Sequence, residues 1–114
     1  MYSGYTQIGN TTKHLHYLLV ESAGNWTTDP LIIWFNGGPG CSSLGGFATE
    51  NGPYIMRGGE TTFSKNPYSW NNKASVLYVE QPAGVGFSYC NYTSNPEDCE
   101  FTDMSQSNDT LAFV

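Results

Sequence analysis

The sequence predicts an open α/β sheet. Residues 31–35 and residues 75–80 are apolar runs without polar alternation, the pattern of strands that are covered on both faces. Each run is followed at its carboxyl end by a glycine-bearing loop, and stretches of helical character occur between and after the runs. Because ligands bind outside the carboxyl ends of strands in such sheets, we expect the functional site at the edge where the two loops lie.

An earlier strand is predicted over residues 13–20, which are rich in aromatic and branched side chains. Alternation places one set of apolar side chains on the same face of this strand: Leu15, Tyr17 and Leu19. His14 and His16 point to the other face, and we interpret them as residues of the strand surface. Residues 22–29 are polar and turn-rich, which indicates a hairpin loop.

Two helices are predicted from start and stop signals. Residues 42–50 form a short helix that an Asn-Gly-Pro turn ends. Residues 58–70 are irregular, with short extended pieces. Residues 104–114 begin a second helix, for which Asp103 or Ser105 is the expected cap. Because this helix ends within an apolar stretch, we expect the natural chain to continue.

Composition excludes several classes of partner. The chain has 114 residues and a net charge of −6, with only four Lys and Arg. Binding to nucleic acid through phosphate neutralisation and polybasic attachment to lipid are therefore not expected. No apolar run reaches the ~18 residues of a membrane-spanning helix. The spacings of the cysteines and histidines match no zinc-binding motif, so we expect neither a metal nor a cofactor.

Four N-x-[ST] tripeptides are candidate glycosylation sites, at Asn10, Asn25, Asn91 and Asn108. Four in so short a chain favour the secretory pathway. The chain nevertheless begins Met-Tyr-Ser-Gly-Tyr, without the basic and apolar regions of a signal peptide, so we expect that such a peptide was trimmed or lost.

The chain has three cysteines, an odd number. Cys90 and Cys99 bracket a polar loop and can close a local disulfide, which leaves Cys41 over. In a secretory protein a leftover cysteine suggests a missing partner, and the alternative is a small buried apolar side chain.

The glycine loop at residues 37–40, Gly-Gly-Pro-Gly, has three possible roles. A phosphate cradle is excluded because neither phosphate-binding glycine motif is present. A tight turn and an oxyanion hole built from backbone N–H groups both remain. The nucleophile elbow G-x-S-x-G that should accompany an oxyanion hole is absent, because Ser42 and Ser88 each lack its last glycine. We therefore interpret both serines as non-nucleophilic.

Several longer motifs make a family resemblance specific. The chain contains W-F-N-G-G-P-G-C-S-S at 34–43, E-N-G-P at 50–53, N-P-Y-S-W at 66–70 and V-E-Q-P-A-G-V-G-F-S-Y at 79–89. In this order they resemble the serine carboxypeptidases over nearly the whole chain. The resemblance implies an α/β-hydrolase fold, with a mixed, mostly parallel sheet, of which residues 1–114 are a single partial domain. It also implies that the catalytic Ser, Asp and His lie beyond residue 114, so we expect these residues alone to be inactive.

The same resemblance assigns roles to the loop. By position, Gly38 is similar to the oxyanion-hole glycine of the family, and Gly37 to the glycine that shapes the loop. Cys41 is similar to a cysteine that the family bridges to a distant downstream partner.

Substrate binding is assigned in the same way. Asn36 and Glu50 resemble the residues that hold the free carboxylate of a peptide, and Gly45 and Thr49 fall where the family lines the pocket for the departing residue. Two carboxylates in contact share a proton, so Glu50 donates to the substrate only when protonated, and we expect tighter peptide binding at acidic pH.

The resemblance implies exopeptidase action on the C-termini of peptides and proteins, in a lysosome, a vacuole or the extracellular space. One alternative is an acyltransferase of the same fold, and another is a secreted binding module without catalysis. The sequence downstream of Val114 separates them: an elbow serine followed by Asp and His indicates an enzyme. Oligomeric state and the preferred side chain are not encoded in any motif.

Overall fold

A computed structural model describes residues 1–114. Six strands and two α-helices form, with these bounds in chain order: β1 Tyr2–Gln7, β2 His14–Val20, β3 Leu31–Trp34, α1 Ser43–Gly46, β4 Tyr54–Ile55, β5 Ser64–Lys65, β6 Ser75–Val79 and α2 Asp103–Phe113. The main sheet has four strands in the order β1-β2-β6-β3, and β4 pairs with β5 in a separate hairpin.

The sheet is mixed. Strands β3 and β6 run parallel, with Leu31 opposite Ser75 and Trp34 opposite Tyr78. Strand β2 is antiparallel both to β6 and to β1. Since β3 and β6 are neighbours that run in the same direction, the loops at their carboxyl ends leave the same edge of the sheet.

The two apolar runs differ in burial. Strand β6 is covered on both faces, as predicted, and Val76 and Val79 are completely buried. Strand β3 is not: it lies at the edge of the sheet, it ends at Trp34, and Leu31 is 57% exposed. The cover on both faces that is predicted for residues 31–35 is therefore not supplied by residues 1–114 themselves.

The predicted alternation of β2 holds for the apolar face. Leu15 is completely buried in a core cluster with Val79, and Tyr17 packs against that cluster. The interpretation of His16 as a surface residue is wrong, since only 7% of it is exposed. Its ring is buried because Nδ1 meets a buried carboxylate oxygen of Glu80 at 2.9 Å, which satisfies its polarity within the protein.

Both helices form where the sequence predicts them. Helix α1 is capped by Ser42, whose hydroxyl accepts from the N–H of Leu44 at 3.2 Å, and it continues as a π-helical segment over Phe47–Asn51. Helix α2 begins at Asp103, but its cap is Thr102, whose hydroxyl accepts from the Ser105 N–H at 3.1 Å. The predicted caps are wrong by one to three residues, because Ser105 is the third residue of a capping box.

An ion pair and two hydrogen bonds hold the last part of the chain against the residues that precede β2. Lys13, just before β2, forms a buried ion pair with Asp109 of α2 at 2.8 Å. The carboxylate of Asp98 accepts from both the N–H and the hydroxyl of Thr12 at 2.7 Å. These two hydrogen bonds favour the ionised carboxylate and lower the pKa of Asp98 below its ordinary value.

Two of the three cysteines are paired and one is free. Cys90 and Cys99 form a disulfide, which confirms the pair predicted from their spacing. Cys41 is a free thiol and exposed, so the alternative of a buried apolar side chain is wrong. Neither helix has the length and apolar character needed to cross a membrane.

Candidate functional site

Two loops meet at the carboxyl edge of β3 and β6. The first follows β3 and contains the glycine loop (residues 37–40), and the second spans residues 80–89 after β6. The hydroxyl of Ser42, just after the glycine loop, donates to the carboxylate of Glu80 at the start of the second. The predicted edge thus brings both loops into direct contact.

The glycine loop exposes its backbone. All four of its residues are exposed, and the N–H groups of Gly37 and Gly38 donate to no group within the protein. Gly38 has φ of +147°, and a Cβ there would lie 3.0 Å from Cys41 Sγ and 3.2 Å from the Cys41 nitrogen. Since L side chains rarely adopt this conformation, position 38 requires glycine and leaves an N–H group accessible to a ligand.

Hydrogen bonds fix the strand end that carries this loop. Ser43 Oγ accepts from the Asn36 N–H at 3.1 Å and donates to the Val79 carbonyl at 2.5 Å, which ties the loop to β6. The Asn36 side-chain oxygen accepts from the Trp34 indole at 2.6 Å. This leaves the Asn36 amide NH₂ as a donor, the group that recognition of a carboxylate needs.

Helix α1 packs directly on this strand end. Gly46 is buried, and a Cβ there would come within 2.6 Å of the Asn36 side-chain oxygen. The helix therefore approaches Asn36 at a position where no side chain fits.

The remaining predicted site residues lie on α1 and the segment that follows it. Gly45, Thr49 and Glu50 are exposed, and the Thr49 hydroxyl donates to the Gly45 carbonyl at 2.8 Å. Glu50 lies in the π-helical segment, four residues beyond the glycine that contacts Asn36. The structure brings this segment to the same edge as Asn36 but gives no contact between the two side chains.

The side chain of Asn51, the residue after Glu50, joins the π-helical segment to β6. It is buried, and its oxygen accepts from the Tyr78 hydroxyl at 2.9 Å. Burial raises the pKa of Tyr78 to about 12, because the charged phenolate loses its hydration. The Asn51 side-chain nitrogen is buried without a partner.

Glu80 is the structural hub that the sequence motifs do not reveal. It is completely buried, and its carboxylate accepts from Ser42, from His16 Nδ1 at 2.9 Å and from the Phe87 N–H at 2.9 Å. These hydrogen bonds tie β2, the exit of the glycine loop and the second loop to one carboxylate. A glutamate at the end of an otherwise apolar strand is the one sequence signal that points to it.

The hub includes a connectivity that resembles a catalytic triad. Ser3 Oγ lies 2.8 Å from His16 Nε2, while Nδ1 of the same ring faces Glu80. Ser3, however, lies within β1 and is paired in register with Leu18, so no loop backbone surrounds it to form an oxyanion hole. We therefore assign this chain of side chains to the support of the fold.

Ser42 and Ser88, which lack the last glycine of the elbow motif, use their hydroxyls in hydrogen bonds within the protein. Ser42 donates to Glu80 and caps α1, as described above. Ser88 is buried, donates to the Glu80 carbonyl at 2.6 Å and accepts from the His16 N–H at 2.8 Å. Both hydroxyls are occupied by structural hydrogen bonds.

Comparison with known proteins gives consistent matches. The family profile described as serine carboxypeptidase matches residues 1–114. Serine carboxypeptidase ctsa-3.1 of Caenorhabditis elegans is 56% identical over 89 residues, which are 77% of this chain and 16% of that protein. The lysosomal protective protein of Mus musculus is 52% identical over 88 residues, 77% of this chain and 18% of that protein. Serine carboxypeptidase-like 36 of Arabidopsis thaliana is 44% identical over 114 residues, 99% of this chain and 23% of that protein.

A solved structure shares the fold. It is that of Kex1Δp, a prohormone-processing carboxypeptidase from Saccharomyces cerevisiae, with a TM-score of 0.80 and 24% identity over 98% of this chain and 26% of that one. The fold is thus the corresponding part of an α/β hydrolase, as predicted. The chain spans about a fifth of the length of the curated relatives it matches.

Proposed function

This chain belongs to the serine carboxypeptidase family, and from that premise we propose that it is one part of a serine-type carboxypeptidase. The enzyme releases C-terminal residues from peptides by acyl transfer to a serine that lies outside residues 1–114. The glycine loop supplies the oxyanion hole in this proposal, and residues 1–114 form a single partial domain.

The observation that carries the proposal is the exposed backbone of the glycine loop. The Gly38 N–H is unpaired, lies at the carboxyl edge of the parallel strands and follows a strand end that Ser43 ties to β6. A preorganised donor at an oxyanion contributes about 3–4 kcal/mol to lowering the barrier. Gly37 shapes the loop and keeps its surface open.

Asn36 and Glu50 are proposed to bind the free carboxylate of the substrate. The Asn36 NH₂ is available because its oxygen is held by the Trp34 indole. Glu50 is exposed at the end of the helical segment and donates a hydrogen bond only in its protonated form. Gly45 and Thr49, on the same exposed surface, are proposed to line the pocket for the departing residue.

Binding of a carboxylate favours hydrolysis of peptides over transfer from an acyl ester. An amide donor and a protonatable acid suit the C-terminus of a peptide or protein, which is the proposed substrate. The proposed location is the secretory pathway, in a lysosome, a vacuole or the extracellular space, consistent with the name of the mouse relative. Cys41, exposed and unpaired here, is proposed to bridge to a cysteine outside residues 1–114.

The test replaces the matching segment of the mouse lysosomal protective protein by residues 1–114 and measures hydrolysis of a blocked dipeptide and of its C-terminal amide. Asn36→Ala should raise KM for the free acid about 10-fold or more, as expected for a lost hydrogen bond to a charged group, and leave KM for the amide unchanged. Glu50→Gln should abolish the improvement of KM at acidic pH.

Asn72→Ala is the matched control, because the side chain of Asn72 is exposed. This variant should change KM for neither the free acid nor the amide. Equal effects of Asn36→Ala on acid and amide would refute the carboxylate role. Residues 1–114 alone should release no C-terminal residue, and measurable release would refute the proposed division of the active site.

A further inference from the structure

The loop between β2 and β3 contains one of four N-x-[ST] tripeptides, and it folds differently from the other three. Asn25 Oδ1 accepts from the Thr27 N–H at 3.2 Å and from the Thr27 hydroxyl at 2.6 Å. Asn25, Trp26 and Thr27 are all exposed. The side-chain oxygen of the acceptor is thus engaged by its own threonine, while the nitrogen Nδ2 is left free and accessible.

This turn is built from local contacts. The Asn25 carbonyl accepts from the N–H groups of Thr28 at 3.0 Å and Asp29 at 2.8 Å. In return the Asp29 carboxylate accepts from the Asn25 N–H at 2.9 Å and from the Ser22 hydroxyl at 2.6 Å. No partner is more than seven residues away, so the turn can form in a growing chain before the sheet exists, since short loops close within about 10–100 ns.

The tripeptides at Asn10 and Asn108 lack this arrangement. Thr12, which follows Asn10, donates its hydroxyl to Asp98, a residue 86 positions later in the chain. Asn108 lies on α2, where residues two positions apart diverge by about 200° around the axis. The Thr110 hydroxyl instead lies 2.7 Å from the Gln81 side-chain oxygen and 2.9 Å from the Gln106 carbonyl, and its single hydrogen can go to either acceptor.

The tripeptide at Asn91 is intermediate. Its side-chain oxygen accepts from the N–H groups of Thr93 and Ser94, both at 3.1 Å. It therefore forms a local turn, but the Thr93 hydroxyl is not bonded to the acceptor amide.

We propose that Asn25 is the preferred N-glycosylation site of this chain and that the turn closed by Asp29 makes it so. In the reaction, Nδ2 of Asn25 attacks the anomeric carbon of a lipid-diphosphate-linked oligosaccharide. The N–C bond forms, the C–O bond to the diphosphate breaks, and the lipid diphosphate leaves with the electron pair. The proton of Nδ2 passes to a base of the transferase. The hydrogen bond from Thr27 to the amide oxygen draws electron density from Nδ2 and favours loss of that proton.

The proposal is independent of the catalytic role proposed above and is tested on residues 1–114 behind a cleavable signal peptide in mammalian cells. Glycans are removed enzymatically in ¹⁸O-labelled water, and the labelled aspartates are quantified by mass spectrometry at all four positions. Asn25 should have the highest occupancy. Higher occupancy at Asn10, Asn91 or Asn108 would overturn the proposal.

The decisive variant is Asp29→Ala, because Asp29 lies outside the tripeptide and the motif alone predicts no change. The ratio of modified to unmodified Asn25 should fall at least about three-fold, as expected for the loss of the two hydrogen bonds that the Asp29 carboxylate accepts, while the ratio at Asn91 stays constant. Both chains compared also carry Thr27→Ser. This substitution keeps the hydroxyl and holds the glycan occupancy of Asn25 below saturation, so that a decrease can be measured.

Asp103→Ala is the matched control, since Asp103 is an exposed acid at the start of α2. An unchanged ratio at Asn25 in Asp29→Ala would overturn the role of the turn. An equal fall at Asn91 would overturn it as well, because a general loss of modification has no connection with this loop.

Discussion

The two glycine-bearing loops at the carboxyl edge of the sheet have similar compositions and opposite structures. The glycine loop after β3 exposes all four of its residues, and its N–H groups at Gly37 and Gly38 are unpaired. The loop after β6 surrounds a completely buried Glu80, and its backbone and hydroxyl groups bond that residue. One loop leaves its backbone donors unpaired, and the other uses its donors within the protein.

The difference shows that glycine serves two purposes at this edge. At Gly38, the φ of +147° allows an open backbone beside Cys41. At Gly86, φ is +57° and the absent side chain makes room for the Glu80 carboxylate. The first is a requirement of the proposed chemistry and the second a requirement of stability. Substitutions in residues 1–114 should therefore separate the two loops.

The largest effect is expected for Glu80→Ala. Removal of the carboxylate leaves His16 Nδ1, the Phe87 N–H and the Ser42 hydroxyl without their acceptor, so the free energy of unfolding should fall by about 3–5 kcal/mol. Urea denaturation followed by tryptophan fluorescence measures it. The exposed Glu100→Ala should change stability by less than about 0.5 kcal/mol. A loss below about 1 kcal/mol in Glu80→Ala would show that Glu80 is not a structural hub.

The second effect compares two glycines directly. A methyl group at Gly86 would enter the Glu80 carboxylate and strain a positive φ, so Gly86→Ala should cost about 2–4 kcal/mol. Gly37 has no positive φ and no atom within 4 Å of an added Cβ, so Gly37→Ala should change stability by less than about 1 kcal/mol. Thermal unfolding of both variants is the measurement. Equal costs at the two positions would contradict the contrast between the loops.

The smallest effect concerns Tyr78, one residue before the end of β6. Its hydrogen bond to Asn51 should contribute about 1 kcal/mol, which Tyr78→Phe removes. Its pKa is raised from 10.0 to about 12, so above pH 10 the unfolded chain releases a proton that the folded chain keeps. The stability from Tyr78 is therefore complete below pH 10 and declines as pH rises toward 12.

Unfolding midpoints from pH 8 to 12 test this point. The wild-type chain should lose stability more steeply than Tyr78→Phe above pH 10, whereas the exposed Tyr68→Phe should follow the wild type. Parallel curves for wild type and Tyr78→Phe would contradict the raised pKa.

Much of the fold was predictable because its signals are local. The buried run of β6 and the short helix that begins at residue 42 were identified from the apolar pattern and from start and stop signals. The Cys90–Cys99 disulfide followed from spacing. The glycine loop and Asn36 were predicted as site residues, and that assignment stays a proposal. His16 was misassigned, because alternation in a strand indicates the face of a side chain and not the partner that covers it.

By itself, the sequence determined the family, the location of the glycine loop and the polarity of each segment, since motifs and periodicity are properties of neighbouring residues. Tertiary structure alone decided that His16 and Glu80 form a buried pair across 64 positions, and that Asp98 holds Thr12 across 86 positions. The reason is physical: the burial of a polar group depends on which distant groups satisfy its hydrogen bonds, and no local pattern specifies them.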